Sequence, residues 1–249
     1  MSCLKGRTAM VTGAGKNIGK DIAITFAKEG ANVIVCDYNE DNAKSTAGEI
    51  ERLGVGAMTA VCDVRDRDAI FAYVKQAEER FGKIDFLVNN AGGSAGLLNK
   101  LTRFVDAEPE TLDFVLDVNI KGTFNCAQAV LRSMIENKYG KIINISSIAA
   151  ICGLYDRVDY AAAKAAQIGM VKSLAMEVGE YNICVNCISP GAINRDGDKW
   201  EHMTYLGENG RAGDPKEISE TVIFLAKNDY ITGQNIIVDG GRTLGPGHR

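Results

Sequence analysis

The sequence predicts an α/β protein built on a Rossmann-type, doubly wound parallel sheet with helices on both faces. Short runs of β-branched and other apolar residues alternate with longer amphipathic stretches along the chain, a rhythm typical of repeated βαβ units. Several runs are continuously apolar, which is typical of parallel strands covered on both faces. No internal repeat, low-complexity tract or linker divides the 249 residues, so a single domain, 1–249, is expected.

The first two predicted strands enclose the best-defined helix. They are Ala9–Thr12 and Val33–Cys36, and the helix between them runs over 18–29. Its apolar residues Ile18, Ile22 and Phe26 follow the spacing of one helical face, and a glycine at 30 is a typical C-terminal stop. Later strands are predicted to end at Val61 and to span Phe86–Val88, Ile142–Ile145 and Asn235–Val238.

Composition and charge argue against several classes of function. The net charge is -4 and the Lys and Arg residues are scattered, so no nucleic-acid partner is expected. No stretch reaches the roughly 18 apolar residues of a membrane span, and no cleavable leader is apparent. An odd number of cysteines favours reduced thiols, so a cytoplasmic protein is expected. Cys184 and Cys187 stand three apart on a predicted strand, and their side chains therefore diverge. Buried apolar thiols are favoured there, and no metal site is predicted.

The first predicted strand ends in a glycine-containing loop from which the first helix begins. Glycines let the backbone turn sharply and approach a pyrophosphate without a Cβ in the way. The helix N-terminus adds N–H groups and a positive dipole end. Strand before and helix after is the context that a dinucleotide-binding loop requires, and a purely structural glycine turn is the alternative. The candidate cofactor-binding residues here are Gly13, Gly15, Lys16, Asn17, Ile18 and Gly19.

An acidic residue, Asp37, ends the second strand at about the interval where a carboxylate meets the adenosine ribose,. A carboxylate there accepts hydrogen bonds from a 2′-hydroxyl and repels a 2′-phosphate, which predicts NAD rather than NADP. Lys16 favours NADP instead, because a basic residue in this loop could contact a 2′-phosphate. We give Asp37 more weight, because a desolvated clash between like charges costs more than a flexible Lys contributes. The alternative is a strand-end Asp that caps the next turn.

The third strand is followed by Asp63 and Val64. A carboxylate at 63 could accept a hydrogen bond from the adenine amino group, or it could cap the helix that starts near Asp66. The sequence leaves these two roles open.

Tyr160 and Lys164 stand four residues apart in a helix-forming stretch, so their side chains share one face,. Oxidation of an alcohol requires a base for the hydroxyl proton while hydride leaves the carbon. A free Tyr has a pKa near 10 and is a poor base at neutral pH, but a nearby ammonium group lowers that pKa. The pair alone is common by chance on solvated helix faces. Here Ser147 stands 13 residues upstream of the Tyr, after an apolar strand.

In combination and order, these motifs resemble the short-chain dehydrogenase/reductase family in its roughly 250-residue branch. The resemblance covers nearly the whole chain. It is carried by the glycine loop, Cys62-Asp63-Val64, Asn89-Asn90-Ala91-Gly92, Asn119-Ile120-Lys121-Gly122, Ser147, Tyr160 with Lys164, Ser189-Pro190-Gly191 and the segment from Thr232 to Gly241.

The resemblance implies roles for the matching positions. Tyr160 would be the general acid/base, and Lys164 would bind the nicotinamide ribose and lower the Tyr pKa. Ser147 would hold the substrate oxygen, and Asn119 would support a water path that feeds protons to Lys164. The remaining cofactor contacts would come from Asn90, Ala91 and Gly92 and from Pro190, Gly191 and Ile193 around the nicotinamide. A homotetramer, or a homodimer, is implied as well.

Two positions depart from the family pattern. Asn17 occupies the place of the second loop glycine, and Asn tolerates left-handed backbone angles better than most residues. Arg195 occupies the place of a Thr that the family puts four residues past the Gly of Pro190-Gly191. It could contact a phosphate or an anionic substrate, or be a surface charge at the loop mouth.

The segment 194–210 is expected to form a short lid over the site. Its many charged residues favour a small polar substrate such as a sugar, polyol or hydroxy acid. The leading hypothesis is therefore an NAD(H)-dependent oxidoreductase that interconverts a secondary alcohol and a ketone. The alternatives are an NADPH-dependent 3-oxoacyl reductase and, from another class, a non-catalytic dinucleotide-sensing regulatory protein.

Overall fold

The computed structural model describes residues 4–194, 204, 206 and 210–245, and its centre is a parallel sheet. The strand order is β3-β2-β1-β4-β5-β6-β7, and every neighbouring pair is parallel. This arrangement confirms the predicted doubly wound α/β fold. The strands are β1 (Thr8–Thr12), β2 (Asn32–Asp37), β3 (Ala57–Val61), β4 (Phe86–Asn89), β5 (Gly140–Ile145), β6 (Ile183–Pro190) and β7 (Asn235–Val238).

Helices connect the strands, and several begin at side chains suited to that position. Asn39, Asp66 and Asp214 each precede a helix and accept a hydrogen bond from a first-turn N–H, as good N-caps do. The helices are α1 (Asn17–Lys28), α2 (Glu40–Arg52), α3 (Arg67–Phe81), α4 (Pro109–Leu116), α5 (Gly122–Glu136), α6 (Ala149–Cys152), α7 (Val158–Val178) and α8 (Pro215–Lys227), with a π-helical turn, Asp117–Lys121, between α4 and α5.

Apolar side chains fill both faces of the sheet. Val11 points to the face covered by α1, α2 and α8, and Met10 points to the face covered by α3, α5 and α7, because side chains alternate along a strand. The predicted face of α1 is confirmed, since Ile22 and Phe26 are fully buried. Burial of each such side chain contributes roughly 1.5–3 kcal/mol.

The sheet places all strand carboxyl ends at one edge. β1 lies between β2 and β4, so the chain reverses its order of strands beside β1. Ligands of doubly wound sheets bind in the crevice at this switch point. The loops after β1, β2, β4 and β5 carry most of the predicted site residues.

The structure also bears on the two cysteines of β6 and on the predictions about metal ions and membrane spans. Cys184 and Cys187 are both buried, as expected, and the Sγ of Cys184 lies 3.2 Å from the Nζ of Lys141. The described residues contain no cluster of three His, Cys, Asp or Glu side chains suited to a metal ion. Of the helices in the described part of the chain, none has the length and apolarity needed to cross a bilayer.

Candidate active site

The loop after β1 forms a close-packed turn that only small residues permit. Gly13 has a φ of 61°, and a Cβ on Gly19 would lie 2.0 Å from the Gly13 carbonyl oxygen. Asn17 has a φ of 50°, in the left-handed region that Asn tolerates. The departure from the family glycine is therefore accommodated as predicted.

The N-terminus of α1 follows this turn without an internal cap. The side chain of Lys16, the N-cap residue, is exposed and makes no capping hydrogen bond, and the first turn contains no acidic residue. The first N–H groups and the positive end of the helix dipole therefore remain available for an anion. The glycine-lined turn and these donors fit the pyrophosphate of a dinucleotide.

Asp37 links the end of β2 to the glycine loop. Its carboxylate accepts hydrogen bonds from the Gly15 N–H at 2.8 Å and the Asn39 N–H at 2.9 Å. Of the two roles considered for this residue, the turn cap is confirmed by the bond from Asn39, and the contact with the adenosine ribose stays a prediction. Two carboxylate oxygens have about four acceptor positions, so the group can still accept hydrogen bonds from a ribose.

Asp63 does not cap a helix. Asp66 is the N-cap of α3, while the Asp63 carboxylate accepts hydrogen bonds from the main chain and the guanidinium of Arg65. Partial burial opposes ionisation, but the hydrogen bonds from Arg65 lower the pKa of Asp63 below its usual value. Of its two predicted roles, the cap is wrong and the adenine contact stays a prediction. The next residue, Val64, is buried against Gly122.

The segment after β4 is bound to the glycine loop. The Asn90 side chain donates hydrogen bonds to the carbonyl oxygens of Thr12, at 3.0 Å, and Gly13, at 3.1 Å. The Thr12 hydroxyl accepts from the N–H groups of Asn90 and Ala91. The Asn90 amide thus positions the loop in this structure, and its contact with a cofactor ribose stays a prediction.

Lys164 is buried and held at both ends. Its Nζ donates a hydrogen bond of 2.8 Å to the Ile145 carbonyl, and its own carbonyl accepts one of 2.8 Å from the Ser146 hydroxyl. Burial lowers the pKa of Lys164 to about 8. The Nζ lies 5.7 Å from the centre of the Tyr160 ring, so the predicted pair shares one face of α7. A cation at this distance favours ionisation of a phenol.

Ser147 and Ser146 point in different directions, as the strand alternation predicts. Ser147 is partly exposed, and its Oγ accepts a hydrogen bond from the Ala149 N–H at the start of α6. Ser146 is buried against Lys164. Ser147 is therefore the serine that a substrate can reach.

Asn119 lies fully buried in the π-helical turn. Its Nδ2 donates to the carbonyl oxygens of Gly93, at 2.7 Å, and Val115, at 2.8 Å. Its own carbonyl accepts hydrogen bonds from Thr123 and Gln167. A π-helical turn frees a carbonyl from the regular helical ladder, which is one reason such turns recur at functional sites.

Gly92 packs where a side chain would disturb both Asn119 and Lys164. A Cβ there would lie 2.5 Å from the Asn119 Oδ1 and 3.0 Å from the Lys164 Nζ. We expect Gly92→Ala to displace the ammonium group and to lower kcat by about 10- to 100-fold, because small misplacements of reacting groups have effects of this size. Steady-state kinetics and thermal unfolding would test this expectation.

The matched control is Gly48→Ala in α2, where an added Cβ meets nothing within 4 Å. This control should leave kcat unchanged. Unchanged kcat in Gly92→Ala as well would contradict the expectation.

Comparison with known proteins identifies the family. A family model described as "Enoyl-(Acyl carrier protein) reductase" matches residues 13–243. The (2S)-[(R)-hydroxy(phenyl)methyl]succinyl-CoA dehydrogenase subunit BbsD of Thauera aromatica is 38% identical, over 97% of this chain and 98% of that protein. The chain belongs to the short-chain dehydrogenase/reductase family.

Other short-chain dehydrogenases/reductases show how widely substrates vary around this framework. The 3-oxoacyl-[acyl-carrier-protein] reductase FabG of Thermotoga maritima is 39% identical over 97% of this chain and 99% of that protein. A solved structure of NAD+-bound xylitol dehydrogenase superimposes with a TM-score of 0.86 at 30% identity, covering 96% of this chain and all of that one.

This short-chain dehydrogenase/reductase places its remaining predicted residues beside β7. Pro190 ends β6, Gly191 donates its N–H to the Val238 carbonyl, and Ile193 pairs with Gly213. Arg195 and most of the predicted lid, 194–210, lie outside the described residues, as do the lid side chains that favoured a small polar substrate.

Sequence reasoning missed three residues that hold the site of this short-chain dehydrogenase/reductase together. They are Thr12, Ser146 and Gln167. A signal existed for Gln167, since it follows Lys164 by three residues and so lies on the same helix face. No comparable signal marked the other two, because their hydrogen bonds join segments distant in sequence.

Proposed function

We propose that the protein is an NAD(H)-dependent oxidoreductase that interconverts a secondary alcohol and a ketone. One observation supports this most strongly: the segment after β4 contacts both parts of the site. Its Asn90 donates a hydrogen bond to the Gly13 carbonyl oxygen of the glycine loop. Its Gly92 packs against Lys164, which lies beside Tyr160. The proposed base, Tyr160, is thus connected to the glycine loop that fits a dinucleotide.

The geometry also opposes a purely regulatory role, since Asn119, Ser147, Tyr160 and Lys164 are all present at one edge.

The residues divide the chemistry among them. When bound, NAD would accept hydride from the alcohol carbon. Tyr160, as phenolate, would take the hydroxyl proton, and the Ser147 hydroxyl would donate a hydrogen bond to the same substrate oxygen. The Lys164 ammonium would favour the phenolate and bind the nicotinamide ribose. In ketone reduction Tyr160 would return the proton.

Cofactor preference is argued from Asp37. Asp37 is 6% exposed, and its carboxylate lies against the loop where the adenosine ribose would be bound. A 2′-phosphate there would bring negative charges together in a poorly solvated place, at a large energetic cost. This supports NAD over NADP.

We expect Asp37→Ala to lower kcat/KM for NADH by about 10- to 100-fold, because hydrogen bonds to a charged group contribute roughly 1.5–3 kcal/mol. The kcat/KM for NADPH should fall much less. The substitution also removes the repulsion between the carboxylate and the 2′-phosphate, which offsets the lost hydrogen bond to the Gly15 loop. Rates measured with both cofactors would give the ratio of kcat/KM for NADH to that for NADPH. Asp41 is an exposed acid of α2, and the control Asp41→Ala should leave this ratio unchanged. An unaltered ratio in Asp37→Ala would argue against ribose recognition by this carboxylate.

Two substrate classes remain in the proposal. A small polar substrate was predicted from the lid. A 3-oxoacyl thioester is favoured by apolar surface near the start of α7, where Phe104 is 57% and Val158 50% exposed. FabG of Thermotoga maritima, named as a 3-oxoacyl reductase, is 39% identical.

A substrate screen would decide between them. Acetoacetyl-CoA, xylitol, 2-hydroxy acids and hydroxysteroids would be tested in both directions with NAD(H) and NADP(H), following absorbance of the reduced cofactor. Turnover of one class with a strong preference for NAD(H) would support the proposal. A strong preference for NADP(H), or binding of cofactor with no turnover of any secondary alcohol or ketone, would overturn it.

Assembly as a homotetramer, or a homodimer, stays a prediction from the family. So do the single-domain organisation with a lid and the cytoplasmic location.

A further inference from the structure

Gln167 is a buried amide in α7 that the proposed chemistry does not use. The residue is 1% exposed. The Nε2 donates hydrogen bonds of 2.9 Å to the Asn119 carbonyl and 2.9 Å to the Thr123 hydroxyl. The Oε1 lies 3.4 Å from the Lys164 Nζ, which donates to it. One side chain therefore connects the lysine of α7 to the π-helical turn.

The chemistry of its neighbours determines which way the amide points. The Asn119 carbonyl can only accept a hydrogen bond, and the Lys164 ammonium can only donate. Rotation of the amide by half a turn would place two acceptors together at one end and two donors together at the other. The oxygen of Gln167 therefore faces the ammonium group.

We propose that Gln167 is a positioning residue that holds the Lys164 ammonium group beside Ile145 and couples it to the π-helical turn that carries Asn119. This inference rests on the proposed function for its kinetic consequence, although the contact itself is independent of any substrate. A second acceptor on Nζ restricts the orientation of the ammonium group more than the Ile145 carbonyl alone does.

The contact also affects the charge of the lysine. A carbonyl oxygen facing an ammonium favours the charged form and opposes the effect of burial. Among the described residues, the ionisable groups that interact with Lys164 are Tyr160 in α7 and Cys187 in β6. Burial raises the pKa of Cys187 to about 11, so this thiol supplies no negative charge at pH 7. The charged form of Lys164 is then stabilised by the two carbonyl oxygens that accept its hydrogen bonds, those of Ile145 and Gln167.

The direct test is a titration of Lys164 in the protein without cofactor. Lysines labelled with 13C at Cε would be followed by NMR from pH 6 to 11, and the Lys164 signal assigned by its loss in Lys164→Met. In Gln167→Met the midpoint should fall by about 0.5 to 1 pH unit, a modest effect that suits a long hydrogen bond to a charge. In Gln167→Glu it should rise, because a carboxylate replaces the amide oxygen.

The two variants, Gln167→Met and Gln167→Glu, are expected to move the Lys164 midpoint in opposite directions. One folded variant is therefore enough to test the inference. A Lys164 midpoint that stays at the wild-type value in the folded variants would overturn the inference. Gln128→Met, at an exposed amide of α5 that pairs with Arg67, should not move the midpoint.

The kinetic test follows the pH dependence of alcohol oxidation. If Gln167→Met makes Lys164 less cationic, the pKa of Tyr160 rises and the rising limb of kcat/KM moves to higher pH by about 0.5 to 1 unit, a change that reports the coupled pair. A loss of rate at all pH values without movement of the limb would indicate a merely structural role and contradict the inference. Absence of turnover in the wild type would contradict the proposed function instead, and the NMR result would stand separately.

Discussion

Replacement of Tyr160 by Phe should lower kcat by about 10²- to 10⁴-fold, the usual contribution of a general acid/base, while the affinity for NADH changes little. The variant lacks only the phenolic oxygen, and the Tyr160 ring remains to pack beside the Lys164 Nζ. Substrate oxidation would then have no group placed to receive the hydroxyl proton. Steady-state kinetics with the substrate from the screen, together with fluorescence titration of NADH, would measure the two quantities separately.

Tyr155→Phe is the matched control for this experiment. Tyr155 precedes α7 and is 78% exposed, and Asp159, not a lysine, stands four residues after it. Its hydroxyl should be dispensable for turnover. Retention of full activity in Tyr160→Phe would remove this tyrosine from the mechanism.

Lys164→Met should abolish most turnover and at the same time stabilise the fold near neutral pH. Burial lowers the pKa of Lys164 from 10.5 to about 8, which corresponds to a cost of about 3 kcal/mol for keeping the buried group charged. Met is of similar length and has no charge to desolvate. The lost hydrogen bonds to the Ile145 carbonyl and to the Gln167 Oε1 offset part of the gain, so we expect an increase of about 1–2 kcal/mol in the free energy of unfolding at pH 7.

The pH dependence of this gain has a definite sign. Between about pH 8 and 10.5 the unfolded chain binds a proton at Lys164 that the folded protein has released, so wild-type stability rises with pH in this window. The advantage of Lys164→Met should therefore be largest below pH 8 and disappear near pH 10.5. Guanidinium unfolding at both ends of the window would measure it, with Lys172→Met, at an exposed position of α7, as the control. A variant that is less stable than the wild type at pH 7 would contradict the assignment of this burial cost.

The sequence was sufficient to predict the features that depend on local pattern. The apolar runs predicted the parallel sheet, and the spacing of Tyr160 and Lys164 placed both on one helix face, because helical and strand periods are properties of short segments. Asn17 was expected to adopt a left-handed conformation, and it does.

The sequence could not predict contacts between distant segments. Gln167 meets Asn119 across 48 positions of the chain, and Asp37 meets Gly15 across 22. The conformational preferences of short segments do not specify such pairs, because the pairs depend on how the helices and the loop pack against the sheet. The assignment of Asp63 as a cap failed for a different, local reason, because Asp66, three residues on, is the N-cap of α3.

The double use of Asp37 has a consequence for protein engineering. The residue that would select the cofactor also binds the N–H of Gly15, and an added Cβ on Gly15 would meet both Asp37 and Asn42. A design for NADPH use therefore has to replace two properties at once, the charge and the acceptor. An asparagine at 37 keeps an acceptor of the same reach without the charge, and the neighbouring Tyr38, 71% exposed, is a solvent-facing position at which a positive charge can be added without disturbing the packed loop.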